Sequence, residues 1–289
     1  MTELLVLSLL VLGLGSLLCL PLIGVREIGR GFFTLWAVVI GLLGAVAFLL
    51  IAAGATGGVR AAAVAGPGTG RIAMLLGICL TLLAAFWALL RWATPATATP
   101  ALVLAALMGA LVLRETALAP ATLAASGVIA ASGAASAAAP AASTLLRVVS
   151  LLVSALAVGA VTVAMVLGHW YLVQPKLALA PLRRLCDVFL GVMVVRLLVS
   201  AWGFATSLQA GHRFFTGAEP VPWEALILSQ RLLFGFGGSL ILAVMIRKTV
   251  ALRSTMSATG LLYIAILFVW VGEFLSIYLG RLTGGGLVV

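Results

Sequence analysis

The sequence predicts an all-α fold, a polytopic transmembrane bundle of about eight spans, and three observations lead there. Of 289 residues, 64% are hydrophobic and 8% charged, whereas soluble domains carry about 25% charged residues. The mean hydropathy is +1.30. The apolar residues are gathered into runs of about 20, the length at which an α-helix crosses the hydrocarbon core. Only a helix or a closed barrel satisfies its own backbone in lipid. No segment shows the short alternating pattern of a barrel strand, so helices remain.

The first span is expected over 4–25. Its start, Met1-Thr2-Glu3, is acidic, and no small-x-small cleavage site follows, so it reads as a retained helix rather than a signal peptide. Spans at 32–54, 72–92 and 100–118 follow. Between them, Gly66-Pro-Gly-Thr-Gly70 reads as a turn, because it lacks the Gly-Lys-Ser/Thr ending and the strand context of a phosphate loop. Residues 119–144 are almost wholly Ala, Ser, Gly and Pro, with Leu123, Val128 and Ile129 the strongly apolar exceptions. Alanine contributes little to insertion, and Ser, Gly and Pro oppose it. The segment is therefore expected to be extramembrane, interfacial, or buried against other helices. The competing reading makes it a ninth span packed through small residues. Spans at 148–171, 185–206, 224–246 and 258–280 complete the bundle, followed by a Gly-rich tail. The whole chain is expected to form one integral-membrane domain over 1–289. It shows neither an internal repeat nor a matching pair of broken helices.

The net charge of +10 does not point to nucleic acid. Its basic residues are scattered between apolar runs, as loop anchors are, rather than clustered with aromatics on a polar face. With eight spans, nine of them (Arg26, Arg30, Arg91, Lys176, Arg183, Arg184, Arg247, Lys248 and Arg253) fall on one side. Six (Arg60, Arg71, Arg114, Arg147, Arg213 and Arg281) fall on the other. With nine spans the first half inverts and the count is again nine to six, so charge bias orients only the C-terminal half, with Lys176/Arg183/Arg184 and Arg247/Lys248/Arg253 cytoplasmic and the loop 207–222 outside. Of 17 basic residues only Lys176 and Lys248 are lysine, and alanine and glycine abound. That composition fits a GC-rich bacterial genome, hence the inner membrane of a bacterium.

Catalytic and metal motifs are missing. Cys19, Cys79 and Cys186 sit singly in apolar segments, which makes neither a disulfide framework nor a zinc site. The histidines, His169 and His212, belong to opposite sides and cannot share one iron, which leaves only a single-histidine haem. His169 opens His-Trp-Tyr at the cytoplasmic end of the fifth span. With Trp170 and Tyr171 it suits an interfacial aromatic belt. With Asp187, expected at similar depth, it would suit a proton or quinone-head-group site, since a His169–Asp187 contact would fix the histidine tautomer.

The strongest functional signal is charge at membrane depth. Arg196 is about 16 Å from the cytoplasmic end of the sixth span, with Ser200, Gly203 and Ser207 following on the same face. Arg231, flanked by Gln230, lies about 10 Å inside the seventh span, and Glu273 lies about 10 Å inside the eighth, from the same side. Intramembrane charges face partners or water and mark function by default. Because the two spans are consecutive, Arg231 and Glu273 are expected to pair. The leading functional expectation is a non-catalytic or quinone-contacting membrane subunit of a larger, respiratory assembly. It would hold other membrane subunits and the lipid bilayer as partners and no evident tightly bound cofactor. A carrier or channel for a small anionic solute, drawing on Arg196 and Arg231, is the alternative. An enzyme acting on lipid or prenyl substrates ranks last, for want of acidic metal-binding motifs.

Overall fold

The computed structural model describes residues 2–56, 67–92, 95–118, 141–174, 177–209 and 223–282. Among the described residues there is no strand, and eight helices are long and apolar enough to cross a membrane. The protein is a multi-pass, all-α membrane protein. The first span is the helix Thr2–Cys19, closed by a 3-10 turn at Leu20–Leu22, and a short helix, Val25–Ile28, leads on to the second, Arg30–Thr56. The third and fourth, Pro67–Trp92 and Pro95–Leu118, each begin on a proline. Proline suits the first helical position, where no backbone N–H is required and φ is already helical. The fifth is Ala141–Val173 and the sixth Ala180–Gln209. The seventh runs over 223–251, and the eighth is Thr255–Leu282.

Several ends lie outside the expected bounds. The fourth helix starts at Pro95 and carries Pro100 inside it rather than starting there, and the sixth starts five residues before 185. Residues 141–144 form the first turn of the fifth helix. The rest of the Ala/Ser/Gly-rich segment, 119–140, lies outside the described residues, as do His212 and Gly66.

Contacts fix the directions of the helices. Trp170, at the end of the fifth span, packs edge-on against Phe32, at the start of the second, with ring centroids 5.9 Å apart. Arg184, at the start of the sixth, reaches Glu27 at 3.3 Å. The first and fifth spans therefore end at the same face of the bundle and run parallel. The fourth, which starts at that face, ends at the opposite one, where the fifth begins. The eight described helices thus alternate in direction, as an eight-span chain requires. A ninth crossing between the fourth and fifth would have made the first and fifth antiparallel. On this alternation Arg30, Arg91, Arg183, Arg184, Arg247, Lys248 and Arg253 share one face, called here the basic face.

Neighbour order reveals an architecture that sequence comparison within the chain did not. Spans one to four pack in a ring, first on second, second on third, third on fourth and fourth back on first. Spans five to eight repeat the ring, fifth on sixth, sixth on seventh, seventh on eighth and eighth on fifth. The two four-helix units meet mainly where the first span crosses the fifth. Gly15 and Gly159 make that crossing: a Cβ on either would overlap the other helix's backbone. Lipid offers no hydrophobic gain for helix association, so close backbone approach through small residues is what holds such helices together. Residues such as Leu42, Leu49, Leu198, Ile241 and Leu267 are exposed on the outside of the bundle, as a lipid-facing surface requires.

One loop position departs from ordinary backbone. Arg253 has φ 59°, in the left-handed region. It closes the seventh span, with its N–H donating to the Val250 carbonyl while Ser254 N–H donates to the Thr249 carbonyl. This paired capping pattern favours glycine at that position. An arginine there costs about 1 kcal/mol of backbone strain.

Candidate functional site

The interior of the second four-helix unit is apolar toward the basic face, where Leu185, Phe189, Ile246 and Leu262 are buried. Toward the opposite face it changes character. Arg196, Ser200, Arg231, Ser239 and Glu273 are all buried there, with Arg231 at 1% and Glu273 at 5% exposure. Three spans converge on one point. Arg196 of the sixth donates through Nη2 to Glu273 of the eighth, and Arg231 of the seventh closes the group. The expected partnership is therefore altered: Glu273 is held by Arg196, not by Arg231.

Why Arg231 stands where it does follows from the backbone of the seventh span. Residues Arg231–Gly238 form a π-helical segment between two α-helical ones. Ser239 Oγ donates to the Phe234 carbonyl five residues back, at 3.1 Å, as the wider ring allows. The run Gly235-Phe236-Gly237-Gly238 weakens the α-helical preference, and Gly235 lets the span press onto Gly272 of the eighth, where a Cβ would come to 2.9 Å from the Gly272 Cα. The π turn rotates the face expected from regular α spacing. It brings Phe236 inward, 5.2 Å below the Arg231 guanidinium carbon and 5.7 Å below that of Arg196. One aromatic ring thus supports both cations. Segments of π-helix are rare and cluster at functional sites.

Charge does not balance within this group. Two guanidinium groups face one carboxylate, which leaves one formal positive charge in excess. Nε and Nη1 of Arg231, and Nε and Nη1 of Arg196, are buried and meet no hydrogen-bond partner among the described residues. Cation–π contact contributes about 0.5–2 kcal/mol per arginine, whereas an uncompensated buried charge costs several kcal/mol. The ring offsets only part of the cost. Space beside the triad is small: the gap between Ser8, Val158, Trp270 and Glu273 is too narrow for water.

The other sequence candidates are not gathered in the same way. Ser200 is buried one turn beyond Arg196, but Gln230 is exposed on the outer surface. His169 is exposed, and Asp187 bonds to Arg247 at 2.5 Å instead of to His169. Trp170 is half-buried against Phe32 with its indole N–H unpartnered, and the Tyr171 hydroxyl donates to the Ala178 carbonyl, tying down the loop that follows. Tyr171 and Asp187 line one cleft on the basic face, whereas His169 and Trp170 are not part of its lining. No set of three or more His, Cys, Asp or Glu side chains placed to hold a metal occurs among the described residues. Phe236 was not legible as a site residue, because regular α-helical spacing places it off the Arg231 face; the only hint was the Gly-Phe-Gly-Gly run.

The fold and this interior together define a multi-pass helical membrane protein with a buried, net-positive polar group. Comparison with protein-family models, curated proteins and solved structures matches nothing to this chain.

Proposed function

We propose that the protein is a carrier for a small anionic solute in the bacterial cytoplasmic membrane, with Arg231 and Arg196 as its binding groups. The observation that carries this reading is the surplus guanidinium. Glu273 neutralises Arg196, while Arg231 brings a second buried cation whose Nε and Nη1 meet no acceptor among the described residues. Packing does not require such a group, and an anion would both neutralise the charge and accept those hydrogen bonds. Glu273 then has a second role, as the competitor that occupies Arg196 when no anion is bound. The occluded geometry corresponds to the empty, closed form of such a carrier. The basic face is cytoplasmic on the nine-to-six bias of loop arginines and lysines.

A second reading, a non-catalytic subunit of a larger respiratory assembly, is favoured by the lack of water-sized space at Glu273. In that case a carboxylate from a partner subunit or a quinone-binding neighbour would complement Arg231, and no solute would move. Reconstitution separates the two. The purified chain in proteoliposomes should exchange at least one of chloride, inorganic phosphate or acetate. Arg231→Gln should abolish exchange without reducing folded yield. Absence of flux for all three, together with co-purification of a partner that Arg231→Gln releases, would sink the carrier reading.

A further inference from the structure

A second polar feature lies at the other end of the same unit. On the basic face, a cleft of about 760 Å3 opens between the end of the fifth span, the start of the sixth and the seventh-to-eighth turn. Arg183, Arg184 and Arg253 line it, with Tyr171, Asp187 and Thr255. Two of the cations near it are already engaged: Arg184 reaches Glu27, and Arg247 neutralises Asp187. Arg183 and Arg253 pair with no carboxylate among the described residues. Leu172, Val173, Leu252 and Met256, each within two positions along the chain of a cleft-lining residue, are exposed.

We propose that this cleft binds the phosphate group of an anionic phospholipid. Arg183 and Arg253 face the phosphate, and the four exposed apolar side chains receive the acyl chains. The position fits, because the cleft lies where helices leave the hydrocarbon and head groups begin. Basic pockets at the cytoplasmic ends of transmembrane helices recognise anionic lipids by this combination of cations and flanking apolar surface. Arg253 gives the site a signature. It occupies a left-handed capping position that glycine would fill without strain, so its side chain is retained there at a cost in stability. Free inorganic phosphate shares the chemistry of the head group, but it would leave the apolar rim unused.

Thermal unfolding of the purified full chain in a neutral detergent tests this, with short-chain phosphatidylglycerol, phosphatidylcholine of the same chain length, and inorganic phosphate as probes. Phosphatidylglycerol should raise Tm by linkage, and phosphatidylcholine should not. Arg183→Gln and Arg253→Gln should each weaken phosphatidylglycerol binding about fivefold. Arg253→Gly should raise Tm in the absence of lipid, because the strain is relieved, yet bind the lipid as poorly as Arg253→Gln. Arg231→Gln, in the buried triad, should leave the lipid-induced shift intact, which keeps this test independent of the transport reading. Equal stabilisation by both lipids, full lipid affinity in both arginine variants, or a shift produced by inorganic phosphate to which the lipid adds nothing would overturn the proposal.

Discussion

The two four-helix units are built on the same neighbour order but filled with different chemistry. In the first, Phe33 stacks edge-on against Phe86 with centroids 6.3 Å apart, and Leu76, Leu83, Leu102 and Leu113 are buried with them. Its one buried thiol near the third and fourth spans, Cys79, simply donates to the Ala105 carbonyl at 3.4 Å. In the second unit the corresponding interior carries Arg196, Arg231 and Glu273. A ring of four antiparallel helices is therefore achieved in this chain without a single buried charge among the described residues. The charges of the second unit are an addition to the architecture, and the proposed function rests on them.

The comparison is most strongly broken at Glu273. Glu273→Leu would leave two buried guanidiniums with no counter-charge, and removing one partner of a buried pair costs about 3–5 kcal/mol. Arg196→Leu should cost distinctly less, because Arg231 remains beside the carboxylate and can take over as its partner. Thermal unfolding or folded yield in detergent ranks the two. Equal losses would show that Arg231 does not share Glu273, and the triad would reduce to an isolated pair.

A smaller effect probes the joint between the units. Gly159→Ala places a methyl into the Gly15 backbone, an overpacking of the kind that costs about 1–3 kcal/mol. Gly191→Ala is the control, since a Cβ there meets nothing within 4 Å. It should leave stability unchanged or raise it slightly by its better helix propensity. If both glycines tolerate alanine equally, the two units do not depend on the close crossing.

The smallest effect is expected at the basic face. The Arg184–Glu27 pair links the first turn of the sixth span to the short helix after the first, but its side chains are 53% and 34% exposed. Glu27→Gln should change stability by no more than about 0.5 kcal/mol, as exposed pairs do. A larger loss, read from a chemical or thermal unfolding midpoint, would mean that this face is drier than its exposure indicates.

That the chain is a transmembrane helical bundle, and roughly where eight spans run, was legible in the sequence, because the cost of a non-helical or polar stretch in lipid is large, local and additive along the chain; whether 119–144 adds a ninth was not. The same cost flagged Arg196, Arg231 and Glu273, since charge in an apolar run needs no neighbour to be conspicuous. Which of them pair was not legible. Depth counted along each helix put Arg231 level with Glu273, yet partnership depends on rotation about the helix axis and on which spans touch. A π-helical segment altered that rotation by a fraction of a turn. Phe236 became part of the site for that reason. The direction of the fifth span, and with it the basic face as a single surface, likewise came only from contacts, since the charge count was tied at nine to six whichever span number was assumed. The tertiary structure alone joined Arg183 to Arg253 in one cleft, because residues 70 positions apart meet only when the sixth and eighth spans begin at the same face.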